Sequence, residues 1–551
     1  MSGRFEAADV AVVIPTRDRW PILARTLEGL AGQTVQGFET LVVVDGNDQT
    51  VPHLDGAKFI TKEHGGPGAA RNEGARTTTK PIVLFLGDDM VPSPDLVARH
   101  LQLHQANPDD EVAILGHVDW HTDVARGRLE RWMEWSRTQF DYPVTAEDEA
   151  GFGRFYSCNI SLKRDFFLDS GGFDEAFIYY YEDLDCGWRL GQKGMRLLYE
   201  PTARTYHLHR YDLPAVKRRF EGLAAGEFMM AAKHPWFDPY FLRRVRGALE
   251  LEVPNHLWPL LVDRIPPQAR GLRERSEARA STWYHQAVAP SFLGGWAAAS
   301  DLAELQEYLG ERFDHEHLRG HQQAVDDERA AAGDEETFYR TSNEYLYDLT
   351  VFAMSGTKAP YLADLRAIVP RGGRLLDYGC GIGADGLRLA ADGYDVSFAD
   401  FANPSTTFLR WRLQRRGLRA LLYDLDNDEI PGGFDAAYSF DVIEHVEDPF
   451  AFLRNLERKA SVVAVNFLEE DEDDTDLHRP LPIGKLLDHA AISGLIRYRR
   501  YHDRSHLVIY RSSEGPRVSR LHSAAQRRLG SRLAGSRPWF PVPQGHETRG
   551  V

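Results

Sequence analysis

The chain has 551 residues, which at roughly 150 residues per domain corresponds to about three or four domains. Hydrophobic residues make up 43% and charged residues 27%, an ordinary globular balance that can bury several cores. A formal net charge of −17 argues against nucleic acid as a partner, because no basic excess exists to replace phosphate counterions.

The three cysteines, Cys158, Cys186 and Cys380, have spacings that match neither a disulfide framework nor a zinc site, so reduced thiols in a cytoplasmic protein are expected. The N-terminus "MSGRFEAADVAVVIPT" lacks the basic start and long apolar core of a signal peptide. No apolar run approaches the ~20 residues needed to span a bilayer. The expectation is a soluble chain, at most peripheral at a membrane surface.

Strand and helix patterns alternate from the start. "VAVVIPT" (10–16) is a β-branched apolar run, and "PILARTLEGLAG" after it has helical spacing that ends in glycine. "FETLVVVDGN" (38–47), "AKFIT" and "IVLFL" read as further strands, with a helix over "GPGAARNEGART" before the last. This alternation predicts an α/β fold with a mostly parallel sheet, whose ligands sit beyond the carboxyl ends of the strands. Pro15, Thr16, Arg17, Asp45 and the adjacent acids Asp88 and Asp89 all fall at such ends. Three strands therefore aim polar groups at one crevice, which an acidic turn alone would not require.

From about 211 to 335 the chain reads as helical, rich in arginine, alanine and glutamate, and without a chemical motif. It is expected to be a connector, with acceptor specificity or contacts in a homo-oligomer as further roles. A second α/β pattern starts near 336 and includes "RLLDYGCGIG" (374–383), "DVSFAD" (395–400), "DAAYSFDVIEHV" (435–446) and "SVVAVNF" (461–467). The stretch from about 513 is an Arg-, Ser- and Gly-rich tail. Its Val518, Leu521, Ala525, Leu529 and Leu533 have helical spacing among arginines, followed by Trp539 and Phe540. An interfacial helix on anionic lipid and a tail that is disordered or docked on the protein both fit that pattern.

The motifs "VVIPTRDR", "LVVVDGNDQT", "GPGAARNEGA", "IVLFLGDDMVP" and "GGFDEAFIYYYEDLDCGWRLGQKGMRLLYEP" occur in order. Over roughly 8–210 the chain thereby resembles the inverting family 2 glycosyltransferases of the GT-A fold. The resemblance implies a nucleotide-sugar donor, with Pro15, Thr16, Arg17 and Asp45 on the nucleoside, Arg71 near the diphosphate and Asp88 facing ribose or sugar. It also implies Asp89 as ligand of a divalent Mg or Mn ion, since hard cations prefer oxygen donors. Gly87 departs from the family pattern, in which an aspartate is frequent at this position. Asp183 is expected to act as general base, with Glu182 orienting the acceptor. An acidic first helical turn, which also includes Asp185, is favourable in any case. His207, and less directly His209, stand where related enzymes place a metal-binding histidine.

Over roughly 336–512, "D-x-G-C-G-x-G" followed by "D-V-I-E-H-V" resembles the class I S-adenosylmethionine-dependent methyltransferases, which have a Rossmann-like fold. The resemblance implies Asp377, Gly379, Gly381 and Gly383 on the methionine and sugar side of that cofactor. Asp400 is implied on the ribose, and Asp424 and Leu425 beside adenine. His445 and His478 are candidate bases for an alcohol acceptor. The acid-rich "EEDEDDTDLH" (469–478) reads as a solvated loop. The combined expectation is a bifunctional enzyme that builds a methylated glycan or glycoconjugate, with a lipid-linked acceptor among the options. The alternatives are a glycosyltransferase whose second α/β unit binds acceptor or regulates, and a non-catalytic ligand-sensing scaffold.

Overall fold

The computed structural model describes residues 5–46, 51, 54–124, 127–139, 141–142, 149–252, 256–266, 268–469 and 479–512. The chain falls into two compact units, Met1–Trp296 and Ala297–Val551.

The first unit is built on strands β1 (Val10–Thr16), β2 (Glu39–Asp45), β3 (Lys58–Lys62), β4 (Ile82–Leu86), β5 (Met90–Pro92), β6 (Val112–Trp120), β7 (Asn159–Lys163) and β8 (Arg196–His207). They form one sheet in the order β3-β2-β1-β4-β7-β6-β8-β5. β3, β2, β1 and β4 are mutually parallel, whereas β7 runs antiparallel to β4. Successive side chains of a strand point to opposite faces, so an apolar run serves two cores. Val13, Val43 and Phe85 join Ala70 and Phe167 in one core. Val12, Val42 and Leu84 join Leu23 and Leu27 in the other. Covered on both faces, β1, β2 and β4 leave only their carboxyl ends for polar chemistry. The short strand β5 pairs antiparallel with β8 and sets Met90 opposite His207.

The stretch 211–335, expected as a connector, is largely helical and is shared between the two units. Phe220 from the helix Leu213–Lys233 and Phe241 from Tyr240–Leu249 pack with Trp132, Tyr284 and Phe292. Tyr284 and Phe292 belong to the long helix Arg270–Leu309, whose last turns serve the second unit. There Leu305 packs with Leu318, Leu346 and Phe408, and Glu304 accepts from the buried Arg412 Nε at 2.6 Å.

The second unit carries β9 (Arg374–Tyr378), β10 (Asp395–Asp400), β11 (Leu422–Asp424), β12 (Phe434–Ser439), β13 (Ala460–Leu468), β14 (Leu495–Tyr501) and β15 (Ser505–Arg511). Their order is β11-β10-β9-β12-β13-β15-β14. All neighbours are parallel except at β15, which is antiparallel to both β13 and β14. The run "DAAYSFDVIEHV" stops being strand at Ser439 and closes with a single 3-10 turn, Ile443–His445. His478 and the tail 513–551 lie outside the described residues. Among the described residues no helix is long and apolar enough to cross a membrane.

Candidate active sites

Asp88 and Asp89 sit in the turn between β4 and β5, both buried. Asp88 accepts from Thr16 Oγ1 at 2.8 Å and pairs with Arg19 Nη1 at 2.9 Å. Asp89 pairs with Arg19 Nη2 at 2.6 Å and lies 3.1 Å from His207 Nε2. Burial and the neighbouring Asp89 charge push the Asp88 carboxyl up to about 7. Burial would raise Asp89 too, but the His207 ring and the Arg19 guanidinium outweigh it and hold that carboxyl well below the usual range. Asp89 is thus the more acidic of the two. Stacked against His207 are Trp120, at 5.2 Å between ring centroids, and His209, at 5.8 Å.

At the end of β2, Asp45 accepts from the backbone N–H groups of Gly65 and Gly66 at 2.9 and 3.0 Å and meets His64 Nδ1 at 2.7 Å. Burial opposes ionisation there, but the Gly65 N–H and the His64 ring prevail and lower the Asp45 pKa. Arg71 lies buried on the helix Gly66–Thr77, with Nη1 3.5 Å from Glu182 Oε1 and its guanidinium over the Phe173 ring. Arg17 is half-buried beyond Thr16, and Pro15 is fully within β1.

Tyr180 and Tyr181 both adopt left-handed backbone, with φ of 63° and 68°, and so turn the chain into the helix Glu182–Gln192. Its first residues carry Glu182 and Asp183. The Ser157 N–H donates to Asp183 Oδ2 at 3.0 Å, while Asp183 Oδ1 is buried with no hydrogen-bond partner. Burial and the Asp183 charge push Glu182 up to about 7, and burial raises Asp183. The third acid of that turn, Asp185, is different: Arg189, Lys233 and His234 surround it as a structural ion cluster. The charge of Arg71 acts on Asp88, Glu182 and Asp183 alike. Arg71 thus lies within electrostatic reach of both acid pairs.

In the second unit the glycine-rich turn follows β9. Gly379, Gly381 and Gly383 have φ of 77°, 50° and 71°, a region that favours glycine. A Cβ on Gly379 would stand 2.7 Å from Val442 Cγ2, and one on Gly383 would overlap Leu409. Asp400 closes the turn by accepting from the N–H of Gly381 at 2.7 Å and of Phe401 at 2.8 Å. Buried Asp377 is pushed up to about 8, by burial and then by the charge of Asp385. Asp424 accepts from Asp426 N and Asn427 Nδ2 and so organises the turn after β11, while Leu425 donates its N–H to the Asp400 carbonyl. His445 Nδ1 lies 3.3 Å from Tyr339 Oη. Beside it Glu444 is 1% exposed, with neither carboxylate oxygen hydrogen-bonded.

The family model described as "Glycosyl transferase family 2" matches residues 11–166. The glucosyl-dolichyl phosphate glucuronosyltransferase of Haloferax volcanii is 30% identical over 224 residues, which cover 36% of this chain and 68% of that protein. The chain belongs to the family 2 glycosyltransferases. A second family model, "Methyltransferase domain", matches residues 376–461, so this glycosyltransferase also carries a methyltransferase domain. The pre-mycofactocin glycosyltransferase of Mycobacterium tuberculosis is 31% identical over 240 residues, 41% of this chain and 48% of that one. The glycosyltransferase thus spans about half the length of that relative. A crystal structure of S. aureus TarS 1-349 in complex with UDP aligns at 16% identity and a TM-score of 0.30, over 52% of this chain and 90% of that one. The expected fold class holds: a GT-A-like sheet, a helical middle and a Rossmann-like sheet.

For a metal, the glycosyltransferase offers the carboxylate of Asp89, an oxygen donor that suits Mg or Mn, with the softer imidazole nitrogen of His207 3.1 Å from it. Among the described residues no group of three or more His, Cys, Asp or Glu forms a closed cage. For S-adenosylmethionine, the three positive-φ glycines make a cradle that any side chain would fill or strain. Sequence reading passed over Arg19, Arg219 and Glu444. Arg19 closes the motif "VVIPTRDR" three residues past the end of β1, and only the facing Asp88–Asp89 pair hints at its partner.

Proposed function

We propose that the chain is a bifunctional transferase, moving a sugar from a nucleotide-sugar donor onto a glycan or glycoconjugate and methylating the product with S-adenosylmethionine. Sugar transfer is assigned to 1–210 and methyl transfer to 336–512. The observation that carries the first activity is the convergence of Asp88, Asp89, Arg19 and His207 at one strand end, with Arg71 in electrostatic reach of both Asp88 and Asp183, whose Oδ1 is unpartnered.

In this reading Pro15, Thr16, Arg17 and Asp45 seat the nucleoside, and Asp88 meets ribose or sugar. Asp89 and His207 would hold a Mg or Mn ion, which would supply positive charge to the departing diphosphate. Arg71, beside Glu182, approaches the diphosphate. Asp183 Oδ1 takes the acceptor hydroxyl proton as that oxygen attacks the anomeric carbon opposite the leaving group, so configuration inverts. Glu182 orients the acceptor.

Asp377, Gly379, Gly381, Gly383 and Asp400 position the methionine and ribose parts of S-adenosylmethionine, with Asp424 and Leu425 at adenine. The cofactor supplies the methyl group, and alignment does most of the work in such a displacement. His445, next to Tyr339, takes the acceptor proton. Covalent linkage raises the concentration of one site's product near the other. A lipid-linked acceptor accords with the archaeal relative, a glucosyl-dolichyl phosphate glucuronosyltransferase.

The test is a thermal-shift screen of UDP-, GDP- and dTDP-sugars with and without Mn²⁺ and S-adenosylmethionine, followed by mass spectrometry of products. A metal-dependent shift with one donor and an independent shift with S-adenosylmethionine are expected. Absence of any donor shift overturns the glycosyl reading, and absence of a sulfonium shift overturns the methyl reading.

A further inference from the structure

Arg219 lies on the helix Leu213–Lys233, outside the span of the family model and beyond every motif read from the sequence. Its Nη1 donates to Tyr211 Oη at 3.0 Å, and its guanidinium lies over the rings of Tyr180, at 5.4 Å, and Tyr211, at 5.8 Å. Nε is buried without a hydrogen-bond partner. Among the described residues no carboxylate stands within ion-pair distance of it. Arg19 pairs with Asp88 and Asp89, and Arg71 has Glu182 at 3.5 Å, although its own Nε and Nη1 are also buried without a hydrogen-bond partner. Burying a guanidinium against aromatic faces recovers part of its lost hydration. An orphaned N–H and an unmatched charge still make such a group costly, unless an anion completes it.

The surroundings say which anion. The Asp89 charge reaches Arg219. Tyr211, to which Arg219 donates, packs on His209 at 4.5 Å and on His207 at 6.3 Å between ring centroids. The cation therefore borders the Asp89–His207 pair on one side and Tyr180, two residues before Glu182, on the other. Between a metal-holding pair and the acceptor-side acids lies the place where a donor's diphosphate would leave.

We infer that Arg219 binds the diphosphate of the nucleotide-sugar donor, its planar N–H fork meeting the phosphoryl oxygens at the end bonded to sugar. This rests on the donor-binding reading above. In the transfer, the acceptor oxygen–carbon bond forms and the bond from the anomeric carbon to phosphate oxygen breaks. The hydroxyl proton goes to Asp183, and the electron pair goes to the diphosphate facing Arg219. Lysine would keep the charge but lose the fork.

The experiment compares nucleoside diphosphate and monophosphate binding by calorimetry on the full chain with Mn²⁺, using UDP and UMP, and GDP and GMP in parallel. Arg219→Gln should weaken the diphosphate by at least about tenfold and leave the monophosphate within about twofold, with Arg219→Lys in between. Retained monophosphate binding certifies an intact nucleoside pocket in the variant. Equal diphosphate affinity in Arg219→Gln and wild type overturns the assignment, as does equal loss of both ligands, which would mark a purely structural role. A wild-type chain that binds no nucleoside diphosphate removes the donor reading itself, and this inference with it.

Discussion

His207 Nε2 stands 3.1 Å from Asp89 Oδ2 because the short pairing of β5 with β8 sets Met90 opposite His207. A residue 118 positions away in the chain is thereby fixed beside the strand-end acid.

In the proposed reading the two side chains act as one metal-holding pair. Asp89→Ala is expected to abolish metal-dependent sugar transfer while S-adenosylmethionine binding persists. His207→Ala should raise the Mn²⁺ concentration needed for half-maximal rate by roughly tenfold or more, the usual cost of losing a coordinating group or its support. Metal titrations of initial rate check both. Full turnover by Asp89→Ala in chelator would sink the metal assignment.

Asp183 and Glu182 should separate in kinetics. Asp183→Asn is expected to lower kcat by roughly two to four orders of magnitude with donor KM nearly unchanged, as for loss of a general base. Glu182→Gln should act mainly on acceptor KM, because in the proposed reading its carboxyl, held beside Arg71, orients the acceptor and does not take the proton. Normal turnover in Asp183→Asn would remove that residue as base.

Much of this site was legible in the sequence, and the reasons are specific. Apolar runs at 10–16, 39–45 and 82–86 could only be buried strands, and the polar residues that end them had to converge. The glycine turn after Asp377 was legible because its backbone tolerates little else. Arg19 and Arg219 were not, since an arginine in a loop or on a helix normally points to water, and only tertiary pairing tells otherwise. β14, "LIRYRRY", was missed because its charges mask the strand period, and β15 went with it. Glu444 was hidden within a motif whose histidine drew the attention.

Glu444 yields a pH prediction. Burial, and then the charge of Asp441, push its carboxyl from an ordinary 4.5 to about 8. The native state therefore holds that proton more tightly than the unfolded chain does. This contribution to stability is full below the ordinary carboxylate pKa and is lost as pH rises through about 8. Relative to wild type, Glu444→Gln should gain melting temperature between pH 5 and pH 9 in the transition that S-adenosylmethionine shifts. A pH-independent difference between the two proteins would count against the raised carboxyl.

Gly383 offers a structural test of the cofactor turn. Its φ of 71° and the overlap of any Cβ with Leu409 mean that Gly383→Ala must strain backbone and displace a core leucine. A loss of about 1–3 kcal/mol is expected, together with weakened S-adenosylmethionine binding, measurable by denaturant melts and calorimetry. Gly393→Ala, also at positive φ but with open space around it, serves as the comparison and should show the backbone cost alone.

Arg19, clasping Asp88 and Asp89 at 2.9 and 2.6 Å, gives the crevice a counter-charge that belongs to the chain itself. In the proposed reading an ion held at Asp89 would compete with that guanidinium for the carboxylate, and a donor's phosphates are the natural place for the freed cation to turn. Metal and nucleotide should then arrive as partners, each tightening the hold on the other by the same factor. The protein would behave as one that borrows its metal with each donor molecule and keeps its fold without it, so that in a cell its occupancy would follow the supply of sugar nucleotide.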